Sequence, residues 1–198
     1  MTRKRPDETR NALLDAAFTE AARVGWQSAS LDRILEGAGV TKGALYHHFG
    51  SKDGLGHALI EERLRAWMLS AWLEPVQGKD PIGAVQQVLR EHAAKMDAEA
   101  LVTGCPLNTI SQDICGVDEG FRRRLDAIYR DWELGLADAL RRGQERGLVR
   151  PDADCYRAAG FVVAVSEGLM GVARCRRDLN AYRDQVETLC AWLDTLRA

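Results

Sequence analysis

The sequence predicts an all-α chain made of a compact N-terminal unit to about residue 50, a bridging helix and a larger helical body. Three observations predict this fold class. Apolar residues recur at three- and four-residue spacing, and sustained alternation of apolar and polar residues is nearly absent. Residues that start or stop helices separate the periodic segments.

Four helices are predicted in the first part of the chain. Three of them follow a Ser or Thr, whose side-chain oxygen can accept a hydrogen bond from the free N–H groups of the first turn. Gly25 ends the first helix, and the fourth stops before Pro75. The four are the segments from about Glu8 to Val24, LDRILEG after Ser30, KGALYHHF after Thr41, and about 52–72 after Ser51.

Longer helices are predicted after Pro75. Their connectors, among them QGKDP, GVDEG and GLVRPDAD, are rich in Gly, Pro and Asp, the residues that favour turns. The predicted helices cover about 81–100, 118–146, 153–175 and 179–197, with a short one near 106–114.

Charge and cysteine content narrow the class of protein. The 198 residues carry a formal net charge of -2, but Arg3, Lys4 and Arg5 form a basic arm. Such an arm can follow DNA phosphates or simply be a solubilising tail, and charge alone leaves both open.

The five cysteines include no CxxC pair, which argues against a disulfide framework or a zinc site and favours the cytoplasm. No signal peptide and no uninterrupted apolar run of about 18 residues is present, so no membrane partner is expected.

The stretch GAGVTKGALYHHFGSKDGL, residues 37–55, contains glycines that could form a phosphate-binding loop. A dinucleotide fingerprint needs a preceding strand and the spacing G-x-G-x-x-G, whereas here a helical pattern precedes G-x-G-x-x-x-G. A P-loop needs Gly-Lys followed by Ser or Thr, and Lys42 instead precedes its glycine. The glycines are therefore predicted to join short helices, and no cofactor is expected.

The same stretch fits a helix-turn-helix, whose second short helix enters the major groove of DNA. Gly37 and Gly39 permit the turn, while Leu45 and Phe49 are expected to face the interior.

The remaining side chains of the second helix can contact DNA. The small Gly43 and Ala44 allow its backbone close to base edges, and Tyr46 and His47 can donate to phosphate oxygens. Lys52, at the start of the next helix, can neutralise a phosphate.

The run VTKGALYHHFGSKDGL, together with ALLDAAFTEAARVGWQSASLDRILEGAGV before it, resembles the DNA-binding domain of the TetR family of bacterial repressors over about residues 8–56. The resemblance implies a helix-turn-helix DNA-binding domain at 1–50, a bridging helix at about 52–73, and a ligand-binding and dimerisation domain within 51–198. It also implies a homodimer that binds double-stranded, pseudo-palindromic operator DNA and leaves it when a small-molecule inducer binds. The implied DNA-binding residues are Ser30, Thr41, Lys42, Gly43, Ala44, Tyr46, His47 and Lys52.

The last two predicted helices offer a dimer interface. In AAGFVVAVSEGLMGVA, residues 158–173, small residues recur every four positions at Gly160, Ala164 and Gly168 and allow a second helix to approach. The resemblance implies a four-helix interface built from these two helices of each copy. The last helix is expected to contribute apolar residues at matching spacing, among them Val186, Leu189 and Leu193.

Cys105 precedes Pro106, a residue suited to the first helical position, so Cys105 is the expected N-cap of the helix that follows. Free N–H groups and the positive end of the helix dipole would favour its thiolate. The segment at about 104–148 also resembles a branch of the family that controls responses to reactive electrophiles, including repressors of N-ethylmaleimide reductase and of acrylate metabolism. An inert thiol beside a ligand pocket is the other interpretation.

A ligand pocket would be lined by apolar and aromatic residues with a few polar groups. The expected ligand-binding or sensing residues are Cys105, Trp67, His92, Asn108, Tyr129 and Trp132.

Catalysis is not expected, because no Ser/His/Asp spacing occurs; a hydrolase using Cys105 and His92 is the alternative. No metal site is expected, since His47 and His48 point about 100° apart on a helix.

Overall fold

The computed structural model describes residues 6–78 and 80–198, so the basic arm Arg3, Lys4 and Arg5 lies outside the described residues. Apart from a single antiparallel bridge between Val149 and Arg197, the described residues contain no β structure, and the predicted all-α class is confirmed. The helices are α1 Pro6–Val24, α2 Leu31–Ala38, α3 Lys42–Phe49, α4 Lys52–Leu59, α5 Arg65–Met68, α6 Pro81–Lys95, α7 Ala98–Thr103, α8 Pro106–Ile114, α9 Glu119–Glu145, α10 Cys155–Arg176 and α11 Leu179–Asp194.

The bridging helix, residues 52–73, is not a regular α-helix. A π-helical turn, Ile60–Leu64, joins α4 to α5, and a second, Leu69–Leu73, follows α5. A π-turn accommodates one more residue than an α-helical turn and so changes which side chains share a face. The apolar pattern predicted the helix but not this change of register.

The helix predicted at 81–100 is interrupted. Met96 has an extended backbone with ψ of 121°, which ends α6. The Asp97 side chain then accepts a hydrogen bond from the Ala100 N–H at 2.8 Å and caps α7. The break therefore has the same physical origin as the predicted Ser caps.

The described residues fall into two compact units. The first unit contains the chain up to Trp67 together with Cys105–Asp126, and the second contains Met68–Gly104 and Ala127–Ala198. The chain passes from one unit to the other within the bridging helix, between Gly104 and Cys105, and again within α9.

Two buried aromatic rings hold the centre of the first unit. Trp26 follows α1, Phe121 belongs to α9, and their ring centroids are 5.9 Å apart. Gly56 of α4 lies against both rings, and a Cβ atom placed there would come within 2.5 Å of Trp26 and 2.6 Å of Phe121. The absence of a side chain at this position therefore lets α4 pack closely on the two rings.

The loop before α2 is bound by the end of α8. The Gln27 backbone N–H donates to the Asp113 carboxylate at 2.6 Å, and the Gln27 side-chain amide donates to the Asp113 carbonyl. Gly25 has a φ of +82°, and a Cβ atom there would lie 2.6 Å from the Asp113 carboxyl carbon. Glycine is therefore suited to this position by its backbone angle and by its contact with Asp113.

In the second unit, α6 and α10 both pack on α11. The Gln86 side-chain amide of α6 donates to the Cys190 carbonyl of α11 at 2.8 Å, and this hydrogen bond is buried. By length and composition α10 would be apolar enough to cross a membrane, with a mean hydropathy of 1.4, yet only 28% of that stretch is buried. An apolar helix with so little cover leaves a large apolar surface exposed.

We predict that Gly56→Ala destabilises the protein. The added methyl group would overlap Trp26 and Phe121, and overpacking of this kind costs about 1–3 kcal/mol of unfolding free energy. Urea unfolding measures the change. Gly116→Ala is the control, because no atom lies within 4 Å of its Cβ position, and the two variants should differ clearly.

Candidate functional site

The turn between α2 and α3 is built by Gly39. Its φ of 64° is left-handed, and its backbone N–H donates to the carbonyls of Leu35 and Glu36. Val40 N–H also reaches the Leu35 carbonyl, at 3.1 Å. These bonds close the end of α2 and allow the chain to reverse into α3 within a few residues.

One side of α3 is buried and the other faces solvent. Leu45 is buried completely, Phe49 is half-buried, and Tyr46 keeps 45% of its surface exposed. The exposed side also carries Thr41, Lys42, Gly43 and His47, with Ala44 half-buried beside them. Six of the eight predicted DNA-binding residues are therefore collected on one short helix and its N-cap.

The exposed face of α3 has the chemistry of a nucleic-acid interface. The Lys42 ammonium lies 6.0 Å from the centre of the Tyr46 ring, so a cation and a phenol occupy the same patch. A cation and O–H or N–H donors can bind phosphate oxygens, and small residues leave room for base edges.

The two other predicted DNA-binding residues have structural partners. The Ser30 hydroxyl accepts from the Arg33 N–H at 3.4 Å as the N-cap of α2. The Lys52 ammonium donates to the Trp26 carbonyl at 3.0 Å and the Gln27 carbonyl at 3.3 Å, and it lies 5.2 Å from the Trp26 ring centre. Lys52 therefore fixes the loop before α2, a role that the sequence did not predict.

The predicted ligand residues are divided between the units. Trp67, Cys105 and Asn108 belong to the first unit, whereas His92, Tyr129 and Trp132 belong to the second. Within the second unit, Trp72 brings two of them together: its ring centroid lies 4.6 Å from that of His92 and 4.7 Å from that of Trp132.

Trp72 was missed by the sequence prediction. In a regular α-helix, Trp72 would lie about 140° around the axis from Trp67, which was chosen instead. The π-turn Leu69–Leu73 contains Trp72 and changes that register. Its aromatic side chain could have made Trp72 a candidate ligand residue, but the sequence could not predict the helix face on which it lies.

Cys105 is the N-cap of α8, as predicted. Its backbone is extended, and its carbonyl accepts from the Thr109 N–H at 2.9 Å, but its thiol makes no capping hydrogen bond. Burial raises the pKa of the thiols of Cys115, Cys155 and Cys190, so these three are poor nucleophiles at neutral pH. Cys175 is exposed.

The predicted dimer residues separate into two groups. Ala164 and Gly168 of α10 are exposed and Gly160 is half-buried, and no atom lies within 4 Å of a Cβ placed at Gly168. Phe161 and Val172 on the same helix keep 45% and 43% of their surface exposed.

The assignment of α11 residues to the interface requires a correction. Val186, Leu189 and Leu193 are buried inside the chain itself, on the side of α11 that packs in the second unit. Helical spacing identified an apolar face correctly but could not distinguish an intrachain core from an interface. The partly exposed apolar residue of α11 is instead Trp192, which packs on Phe161 with ring centroids 4.5 Å apart.

No group of three or more His, Cys, Asp or Glu side chains suited to a metal ion occurs among the residues that the structure describes.

The sequence profile of "Bacterial regulatory proteins, tetR family" matches residues 13–59, and that of "Tetracyclin repressor-like, C-terminal domain" matches residues 81–189. The first profile includes the α2–α3 turn and the exposed face of α3, and the second includes α6 to α10 and most of α11.

Two curated relatives illustrate the similarity. The chain is 30% identical to the HTH-type transcriptional regulator ArpR of Pseudomonas putida, over 86% of this chain and 82% of that protein. It is 29% identical to the HTH-type transcriptional repressor NemR of Escherichia coli strain K12, over 73% of each. The crystal structure of reduced E. coli NemR has the same fold, with a TM-score of 0.82, 22% identity, and coverage of 96% of this chain and 97% of that one.

We predict that Lys42→Ala weakens binding to duplex DNA of any sequence and lowers the salt dependence by about one counterion. The free energy of unfolding should change by less than about 0.5 kcal/mol, because Lys42 is exposed. Fluorescence anisotropy with a labelled duplex at several salt concentrations measures both binding quantities.

Lys95→Ala provides the matched control, since Lys95 is also exposed and its ion pair is with Glu91 of the same helix. Lys52→Ala should behave differently and lower the stability as well, because its ammonium binds two carbonyl groups. Wild-type DNA binding by Lys42→Ala would contradict the assignment of α3 as the contact helix.

Proposed function

Since this chain belongs to the tetR family of bacterial regulatory proteins, it is a ligand-responsive, DNA-binding transcriptional regulator, and we propose which of its residues carry each step. The protein acts as a homodimeric repressor in the cytoplasm. It binds a pseudo-palindromic operator and leaves it when a small molecule or reactive electrophile acts on the C-terminal part of the chain.

The observation that carries the proposal is the exposed face of α3. Thr41 to Ala44 approach the base edges, while Tyr46 and His47 donate to phosphate oxygens of the DNA backbone. Lys52 and Ser30 support this helix pair from behind through the loop and cap bonds described above, and the third N–H of the Lys52 ammonium remains able to reach a phosphate.

The uncovered side of α10 is the proposed dimer surface. It is formed by Phe161, Ala164, Gly168 and Val172, and Trp192 of α11 continues it. Small residues at 164 and 168 let the α10 helices of two copies approach closely, and the flanking Phe161 and Trp192 bury a large apolar area. Two recognition helices then bind half-sites about one DNA turn apart, roughly 34–36 Å.

Cys105 is the proposed electrophile sensor. It is half-buried and is the N-cap of α8, where the N–H groups of the first turn and the positive end of the helix dipole favour a thiolate.

Selection of DNA from a random pool by the purified protein tests the function directly. The expected outcome is a sequence with two related half-sites, recovered without added compounds and depleted when a panel of small electrophiles is present. Recovery of no sequence preference would contradict the repressor function. Turnover of thioesters or amides that is lost in Cys105→Ser would support the hydrolase alternative instead.

We predict that Phe161→Asp, and independently Gly168→Arg, converts the dimer to a monomer. Each change places a charge on the exposed apolar side of α10, where burial against a second copy would be costly. Light scattering coupled to gel filtration gives the mass, and operator affinity should fall at least tenfold because one half-site contact is lost. Val117→Asp is the control, since Val117 is 69% exposed and lies in the first unit.

We predict that N-ethylmaleimide releases the wild-type protein from its operator and leaves Cys105→Ser bound. Cys175→Ser is the matched control and should be released as readily as the wild type, because Cys175 is exposed and outside the proposed sensing site. Mass spectrometry identifies the modified thiol. Release of Cys105→Ser at the wild-type rate would exclude Cys105 as the sensor.

A further inference from the structure

An aromatic cluster lies in the second unit and is formed from three helical segments. Trp72 comes from the π-turn Leu69–Leu73, His92 from α6 and Trp132 from α9. The Trp72 ring is inclined at 61° to His92 and at 43° to Trp132, with centroids 4.6 and 4.7 Å away. Trp132 is buried, while Trp72 and His92 are half-buried, so one edge of the cluster is accessible.

The indole N–H of Trp132 is buried and has no hydrogen-bond partner among the described residues. This is unusual, because most buried polar groups in folded proteins are paired. The other fully buried tryptophan illustrates the contrast, since the Trp26 indole N–H reaches the Asp53 carboxylate at 3.4 Å. An unpaired buried donor is costly, and an acceptor atom that reaches it recovers part of that cost.

His92 adds polarity without charge. Burial lowers its pKa from the ordinary histidine value, and the nearby Lys95 lowers the pKa further while Glu91 raises it slightly. The imidazole is therefore neutral at pH 7. A charged ligand would lose its hydration beside two indole rings and an uncharged imidazole, which is unfavourable without an opposite charge.

We propose that the Trp72–His92–Trp132 cluster binds a flat, uncharged aromatic molecule that carries a hydrogen-bond acceptor oxygen, and that the Trp132 indole N–H donates to that oxygen. Trp72 and His92 contact the ring system of the ligand. This proposal deepens the proposed function, on which it rests, by naming the chemical class of the inducer.

Three probes of similar shape test the chemical class. Naphthalene offers the rings alone, 2-acetonaphthone adds an uncharged carbonyl oxygen, and 2-naphthoate adds a negative charge. Equilibrium dialysis measures the dissociation constants without depending on tryptophan fluorescence. The wild type should bind 2-acetonaphthone about five- to tenfold more tightly than naphthalene, as one hydrogen bond allows, and 2-naphthoate more weakly than 2-acetonaphthone.

Trp132→Phe removes the donor and should reduce the preference for 2-acetonaphthone over naphthalene to about one. Replacing Trp132 by benzothienylalanine keeps the size and shape of the ring while removing the N–H, and it should give the same loss. Trp192→Phe is the matched control and should keep the wild-type preference, because Trp192 packs on Phe161 instead.

An unchanged preference in both Trp132 variants, or tightest binding of 2-naphthoate, would overturn the proposal. Operator binding without any probe is measured in parallel, so the two hypotheses fail separately. If the protein binds its operator but shows no preference for 2-acetonaphthone over naphthalene, only the proposed ligand class is contradicted. A protein that shows the preference but binds no DNA supports the cluster and contradicts the regulator function.

Discussion

Trp26 lies where the helix-turn-helix meets the segment 105–126, and its ring packs on Phe121, with Gly56 of α4 lying close against both rings because it has no side chain. The loop that carries Trp26 is also held from two sides. The Lys52 ammonium binds its carbonyl groups, and Asp113 binds Gln27. The positions of α2 and α3 follow from this loop, so the exposed face of α3 depends on packing and hydrogen bonds made behind it.

The helix α8 connects Cys105 with the loop before α2. Cys105 is the N-cap at its start, and Asp113, near its other end, accepts a hydrogen bond from Gln27 in the loop before α2. The helix is nine residues long, so only a short distance separates its two ends. Coupling between a ligand and DNA requires that the ligand bind two arrangements of the protein differently, and α8 is a direct physical connection through which such a difference can reach the helix-turn-helix.

Local signals predicted most of the fold. Ser30 and Ser51 cap their helices as expected, and the α3 residues lie outward or inward as spacing indicated, with Leu45 buried and Tyr46 exposed. Features that depend on tertiary contacts were not predictable. Spacing could not tell whether Leu189 faces the chain's own core or a partner, and α-helical periodicity could not place Trp72, which lies in a π-turn.

The exposed side of α10 has a consequence for the amount of protein that a cell must maintain. In the proposed dimer two copies cover Phe161 and Val172, so association and folding would be linked and the stability of each chain would rise with its concentration. Below the dissociation constant of the pair, the same surface becomes available to proteases and to self-association. The proposed interface therefore sets a minimum cellular concentration of the regulator. Below that concentration the protein would dissociate from DNA and would also be degraded faster.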